Sequence, residues 1–259
     1  MSGKSGLEIL LRSERTIIAL GLGLLCVLAW AYLLTGAGMH EAMPGMGGMP
    51  AASMESQPQP MMRWVLMLGM WWVMMIAMMT PAAAPVMLLY ARVARSAAVG
   101  GAIPTIAFAM GYLSVWLGFS LLAVLLQWGL ERNGLLSAMM RSQSGWLSGG
   151  ILVAAGLYQL SPLKHVCLAN CRGPAAFLSR HWRPGNAGAF RLGLIHGGYC
   201  VGCCWLLMAL LFVGGVMNPV WIALLAILVA LEKLAPHGVW IGRGVGVGLI
   251  AWGVVTFAI

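Results

Sequence analysis

The run from Ile195 to Met208, I-H-G-G-Y-C-V-G-C-C-W-L-L-M, sets one histidine and three cysteines inside an otherwise apolar stretch. On a helix turning about 100° per residue, with His196 at zero, Cys200 lies at roughly 40°, Cys203 at roughly −20° and Cys204 at roughly 80°. All four share one sector, which gives the helix a soft, polarisable face. Cys200 with Cys203, Cys200 with Cys204, or His196 with Cys200 can share one metal ion. His196 and Cys203, by contrast, sit roughly 10 Å apart along the axis. One helix therefore supplies at most two good ligands per ion, and the rest must come from other elements.

Two further groups supply candidates. Cys167 and Cys171 are four residues apart, so one helical turn presents both thiols to one side, with His165 close by in sequence. Methionines form the other group. Met39, Met43, Met46, Met49, Met54, Met61 and Met62 surround His40 in a Gly- and Pro-rich segment over 36–62 that holds no Lys or Arg. Met67, Met70, Met74 and Met78 then follow at spacings of three, four and four, with Met75 and Met79 beside them, which draws one thioether stripe down a helix. Thioethers are soft, uncharged ligands that suit Cu(I), offer little to Mg²⁺ or Ca²⁺, and can lie in an apolar medium without the desolvation cost of a charge. Methionine also serves as flexible core filler. A polar loop gains nothing from filler, so Met39, His40, Met43, Met46 and Met49 read as a metal-capture loop. Cys26 stands alone in the first apolar run and reads as a small hydrophobe.

The elements that carry these residues are membrane spans. Of 259 residues 61% are hydrophobic and 8% charged, against about 25% charged in soluble domains, so a water-exposed surface cannot be built from this chain. Apolar runs predict an all-α, polytopic bundle of about seven spans in a single membrane domain over residues 1–259. These are Thr16 to Leu34; Arg63 to Met79, continuing through Pro81 and Pro85 to Arg95; Pro104 to Leu130; Trp146 to Leu160; Leu192 to Val213; a run ending near Glu232 and Lys233; and Trp240 to Ile259. The first run is too long for a signal-peptide core and reads as a retained span. A cytoplasmic N-terminus puts twelve Lys and Arg residues inside and only Arg63, Arg132 and Arg141 outside. That bias accounts for the net charge of +9 without nucleic acid. The Met-rich loop then faces the periplasm or exterior, and the Cys167/Cys171 segment faces the reducing cytoplasm, where thiols remain free to bind soft metal.

Several roles are excluded or left open. The chain has no Asp, so an aspartyl-phosphate pump is excluded, and no phosphate-binding G-x-x-x-x-G-K-[ST] loop is present. The pairs Gly193/Gly197 and Gly198/Gly202, with Gly242, Gly244, Gly246 and Gly248, predict close helix packing. Glu232 and Lys233 read as interfacial anchors, with a bundle-facing, proton-linked Glu232 as the alternative. His181 and His237 lie beside basic residues near the inner surface.

M-W-W-V-M-M-I-A-M-M-T-P at Met70 to Pro81, Y-Q-L-S-P-L-K-H-V-C-L-A-N-C-R-G-P at Tyr158 to Pro174, H-G-G-Y-C-V-G-C-C-W at His196 to Trp205, and G-V-M-N-P-V-W followed by L-E-K together resemble one known family. It is the bacterial and archaeal "predicted metal-binding membrane protein" family (domain of unknown function 2182), over about residues 60–235. The resemblance implies metal binding in a bacterial-type inner membrane, without metal identity or direction. A looser similarity, to eukaryotic high-affinity copper transporters, rests on the Met-rich outer segment and the M-x-x-x-M spacing of Met70, Met74 and Met78.

These features predict a multi-pass protein in the lipid bilayer that binds Cu(I) for transport, delivery or homeostasis. Met70, Met74 and Met78 would conduct the ion to a site of Cys167, Cys171, His196, Cys200, Cys203 and Cys204, and a copper chaperone or membrane cuproprotein would be the partner. No residue is assigned a catalytic role. Two alternatives stand beside this reading: a membrane thiol-disulfide oxidoreductase using Cys200 and Cys203 as a C-x-x-C pair, and a non-catalytic assembly subunit of a membrane metalloenzyme.

Overall fold

The computed structural model describes residues 6–35, 60–96, 102–137 and 140–258. The described residues fold as helices in the order α1 (Gly6–Thr35), α2 (Pro60–Ser96), α3 (Ala102–Arg132), α4 (Gly145–Leu160), α5 (Pro162–Arg172), α6 (Pro174–His181), α7 (Gly185–Ala209), α8 (Leu211–Gly214), α9 (Pro219–Leu234) and α10 (Gly238–Ala258). Among them there is no strand, only an isolated bridge between Leu136 and Ser142. The proposed capture residues Met39, His40, Met43, Met46 and Met49 lie outside the described residues.

Five segments are long and apolar enough to cross a membrane: Thr16–Thr35, Met61–Arg95, Ile103–Arg132, Gly185–Gly214 and Gly238–Ala258. The other two expected spans are shorter. α4 and α9 each have 16 residues, roughly 24 Å of helix against the roughly 30 Å of a hydrocarbon core. Their lengths follow from local chemistry. Pro162 cannot continue α4 and forces Ser161 into extended backbone (φ −71°, ψ 145°), where the Ser161 hydroxyl accepts from the Lys164 N–H and starts α5. The chain turns by 64° at that joint. Gly215, at φ +97°, makes the turn that precedes α9, a left-handed conformation glycine adopts without a Cβ clash. Asn218 then caps α9 by accepting from the N–H groups of Val220 and Trp221, with Pro219 at the first helical position.

α2 runs unbroken for 37 residues, roughly 55 Å, although Pro81 and Pro85 lie inside it. Pro81 has no N–H for the Ala77 carbonyl one turn back. Trp30 of α1 replaces it, donating Nε1–H to that oxygen at 3.2 Å, and the Cys26 sulfur lies 3.9 Å from the same atom. α2 and α7 form the centre of the bundle, with 61% and 56% of their apolar windows buried, while α1 and α10 are peripheral at 11% and 22%. α7 packs chiefly on α3, α10 on α4, and α2 on α1, α3 and α9.

Candidate metal centre

Close approach of α3 and α7 builds the first wall of the site. A Cβ at Gly193 would run into the Phe108 carbonyl and one at Gly111 into the Phe190 carbonyl, so only glycine lets the two backbones touch there. The contact sets Tyr112 of α3 against α7. Its Oη lies 3.2 Å from Cys200 Sγ and 3.3 Å from the Met79 carbonyl, and thereby joins α2, α3 and α7 at one atom.

Cys200, Cys203 and Cys204 are each 1% exposed. The Cys203 and Cys204 thiols turn back along α7 and donate to the Cys200 carbonyl at 3.1 and 2.9 Å. Cys171, on α5 beyond the bend from α4, is buried in the same core as Cys200, Cys203 and Cys204. Cys167, one turn earlier on α5, is half-buried with its sulfur against Gly202. The four-residue spacing on α5 therefore brings one thiol into the cluster and leaves the other on its flank.

His196 is 2% exposed in an aromatic box, its ring centroid 5.1 Å from Phe177, 5.8 Å from Tyr112 and 6.1 Å from Phe108. Its Nδ1 is buried with no hydrogen-bond partner. A buried imidazole nitrogen without a partner carries a desolvation cost that a metal ion or a proton donor would offset.

Charged side chains reach the same region, and this corrects the expectation that Glu232 and Lys233 anchor the bundle at an interface. α9 stops after 16 residues, so its C-terminal charges end inside the bundle, at 2% and 7% exposure. The Lys233 ammonium donates to Cys200 Sγ at 2.8 Å. Glu232 faces the other way and accepts from Lys164 Nζ at 2.5 Å and from Gln159 Nε2 at 2.6 Å, and Lys164 also donates to the Gln159 side-chain oxygen. Lys164 is 1% exposed. Arg172 donates to the Glu232 and Pro236 carbonyls, which ties the end of α5 to the end of α9.

The methionines of α2 are in place as a buried row: Met67, Met70, Met74, Met75, Met78 and Met79 are all 6% exposed or less. Met67 Sδ lies 4.0 Å from Gln127 Nε2, in a polar group with Trp71 and Glu131. Met79 sits at the other end of the row, against Tyr112.

The donor set suits a soft monovalent ion: thiols, an unpartnered imidazole and thioethers, with the nearest carboxylate already paired. As they stand, no three His, Cys, Asp or Glu side chains among the described residues converge on a common metal position. The thiols of Cys203 and Cys204 point at a carbonyl, and an ammonium caps Cys200. Holding an ion here requires those thiols to rotate away from the helix backbone.

Tyr112, Lys164 and Lys233 reach the site by tertiary packing that residue type and spacing do not signal. The signal that places both lysines lies instead in the helix boundaries: Ser161-Pro162, which starts α5, and Asn218-Pro219 with Ala235-Pro236, which bound α9.

Comparison with curated proteins and with solved structures finds no match. One family model, described as PpoB2, copper chaperone, matches residues 68–256, from the start of the methionine row to the end of α10. That span covers most of the chain, with Met70, Met74, Met78 and all the Cys and His residues from Cys167 to Cys204, and the protein therefore belongs to the PpoB2 copper chaperone family.

Proposed function

We propose that the protein is a membrane-embedded copper chaperone that holds Cu(I) on the thiols of Cys171, Cys200, Cys203 and Cys204, with His196 as a further ligand, and passes it to another cuproprotein. The observation that carries this reading is the burial of Cys171 of α5 and Cys200, Cys203 and Cys204 of α7 in one core, with the unpartnered imidazole nitrogen of His196 on the same helix as three of them. The methionine row of α2 would lead ions to that cluster from the side facing the Met39–Met49 loop, along a gradient from neutral thioether to anionic thiolate. A cytoplasmic N-terminus, from the distribution of basic residues, puts the loop on the periplasmic or outer side of a bacterial-type inner membrane. The family name supports copper; the direction of transfer and the acceptor are part of the proposal.

A thiol-disulfide oxidoreductase needs its attacking sulfur open to a protein or quinone partner. Cys200 and Cys203, both 1% exposed, are closed to one. Detergent-purified protein should retain Cu(I) against a chromophoric Cu(I) chelator, and the double substitution Cys200→Ser, Cys203→Ser should release it. Equal copper retention by the two proteins would sink the proposal. A reversible Cys200–Cys203 disulfide, trapped in protein that binds no copper, would replace it with the redox reading.

A further inference from the structure

An ion held by Cys200, Cys203, Cys204 and His196 is shut away from any second protein, and α6 supplies side chains on both sides of that barrier. Phe177 of α6 is buried, and its ring centroid lies 5.1 Å from that of His196. The same phenyl ring lies 5.0 Å from His181, the half-buried last residue of α6. Tyr199 of α7 closes the group, 6.2 Å from Phe177 and 6.4 Å from His181. Two imidazoles, one in the core and one at its edge, thus share a phenyl neighbour. His181 is held as a ligand is held. Its Nδ1–H donates to the Phe177 carbonyl at 3.1 Å, since a carbonyl only accepts, and this tautomer leaves the lone pair on Nε2. Metal-binding histidines are oriented in the same way, by a carbonyl or carboxylate on the other ring nitrogen. The neighbouring Trp182 packs on Tyr90 of α2 at 5.4 Å and fixes the end of α6. A histidine that only meets solvent needs none of these restraints. Arg180 and Arg183 flank it, both exposed. Among the described residues no two further His, Cys, Asp or Glu side chains join it, so the position offers one donor to an ion whose other ligands come from elsewhere.

We propose that His181 is the exit ligand through which Cu(I) passes from the buried cluster to an acceptor protein that presents a pair of thiolates; this rests on the copper reading above. Phe177 keeps the two imidazoles apart at rest. When its ring turns aside, the ion exchanges its bond to His196 for one to His181 Nε2. The acceptor's thiolates then form their bonds to Cu(I) as the bond to His181 Nε2 breaks. Each step swaps one donor for another, and the oxidation state of copper does not change. The exposed guanidinium groups of Arg180 and Arg183 attract the anionic thiolates to the point of transfer.

The test uses the full chain purified in detergent and loaded with Cu(I). Two quantities are read: the equilibrium hold on Cu(I) against a chromophoric chelator, and the rate at which Cu(I) passes to a synthetic peptide carrying a C-x-x-C pair. His181→Phe keeps a ring against Phe177 and Tyr199 but has no lone pair to offer. Its transfer rate should fall about tenfold or more, while its equilibrium hold stays within about threefold of wild type. His181→Met returns a soft donor without the imidazole and should transfer within about threefold of the wild-type rate. Wild-type speed in His181→Phe overturns the proposal. Equal slowing in both variants overturns it too, because His181 is then a packing residue. A lost equilibrium hold in His181→Phe also overturns it, by placing His181 in the storage cluster. If His181→Phe does not fold, His181→Leu takes its place beside His181→Met: slow transfer in Leu alone supports the proposal, and equal rates overturn it. A wild-type protein that holds no Cu(I) brings down the copper reading and this inference together. One that holds Cu(I) and passes it on at the same rate with or without a donor at position 181 removes this inference alone.

Discussion

The two halves of the candidate path are built on opposite principles. α2 is one continuous helix whose candidate ligands, Met70, Met74 and Met78, are buried neutral thioethers, and around them it is tied to α1 and α3 by uncharged groups: Trp30 at Ala77, Trp71 with Gln127, Trp72 at Leu113 and Tyr112 at Met79. The thiol side is assembled from interrupted helices: α5 begins at a 64° bend, α9 stops short, and each brings a charged residue into the interior. Neutral ligands can sit anywhere along a long helix at little cost. A charge can be carried inside only where it meets a partner at a short helix's end, as Lys164 meets Glu232 and Lys233 meets the Cys200 sulfur. Depth in the bundle is therefore set by helix length on one side and by pairing on the other.

The sharpest way to break this contrast is to remove one member of the buried pair. Glu232→Ala leaves Lys164 buried with only the Gln159 side-chain oxygen, and should cost about 3–5 kcal/mol of stability. The double change Lys164→Met, Glu232→Leu, which removes both charges, should recover most of that loss. Thermal unfolding in detergent reads both; a Glu232→Ala protein as stable as wild type would show that the pair does not hold the thiol side together. A smaller effect is expected at the α3–α7 contact. Gly193→Ala drives a methyl into the Phe108 carbonyl and should cost about 1–3 kcal/mol, while pushing Tyr112 away from Cys200 and weakening Cu(I) retention. Gly198→Ala, on the same helix with nothing within 4 Å, should be neutral or gain up to about 1 kcal/mol in helix propensity. Similar losses at the two positions would mean that α7 does not pack by its Gly193 face.

The contrast also explains what could be read from the chain. α2 and its methionine row were legible because a neutral stripe on an uninterrupted helix is a pattern of types and spacing alone. The cysteine face of α7 was legible for the same reason. Helix length is what hydropathy leaves open: counting apolar runs gives seven spans, whereas five single helices are long and apolar enough, α4 is so only together with α5 across its 64° bend, and α9 runs 16 residues between its Asn218 and Ala235 caps. Once α9 is measured from its Asn218 cap, Glu232 and Lys233 can no longer be placed at an interface. Tyr112 left no comparable signal, because nothing local marks it. Its role depends on how closely α3 approaches α7, which the glycines at 193 and 197 suggest without saying which helix they meet. The Cys167/Cys171 pair was half legible: spacing put both on one face of α5, but only packing against Gly202 separates the flanking thiol from the one in the cluster.

A volume-conserving change bears most on the methionine side. Met74 and Met78 are each 1% exposed and Met70 is 4%, so replacing all three by Leu keeps volume and apolarity, and should cost less than about 1.5 kcal/mol per site. The thiol cluster is untouched by these changes, and its equilibrium hold on Cu(I) should stay at the wild-type value. If the row is only packing, the rate at which Cu(I) added outside proteoliposomes reaches the thiols should also be unchanged. If the thioethers hand the ion along, that rate falls while stability and final occupancy do not, because leucine leaves a shaped but ligand-free lane. A stopped-flow measurement with Cu(I) supplied on the side of the Met39–Met49 loop separates the two. An unaltered rate would reduce α2 to a buried wall and leave the thiol side to receive its copper by another route.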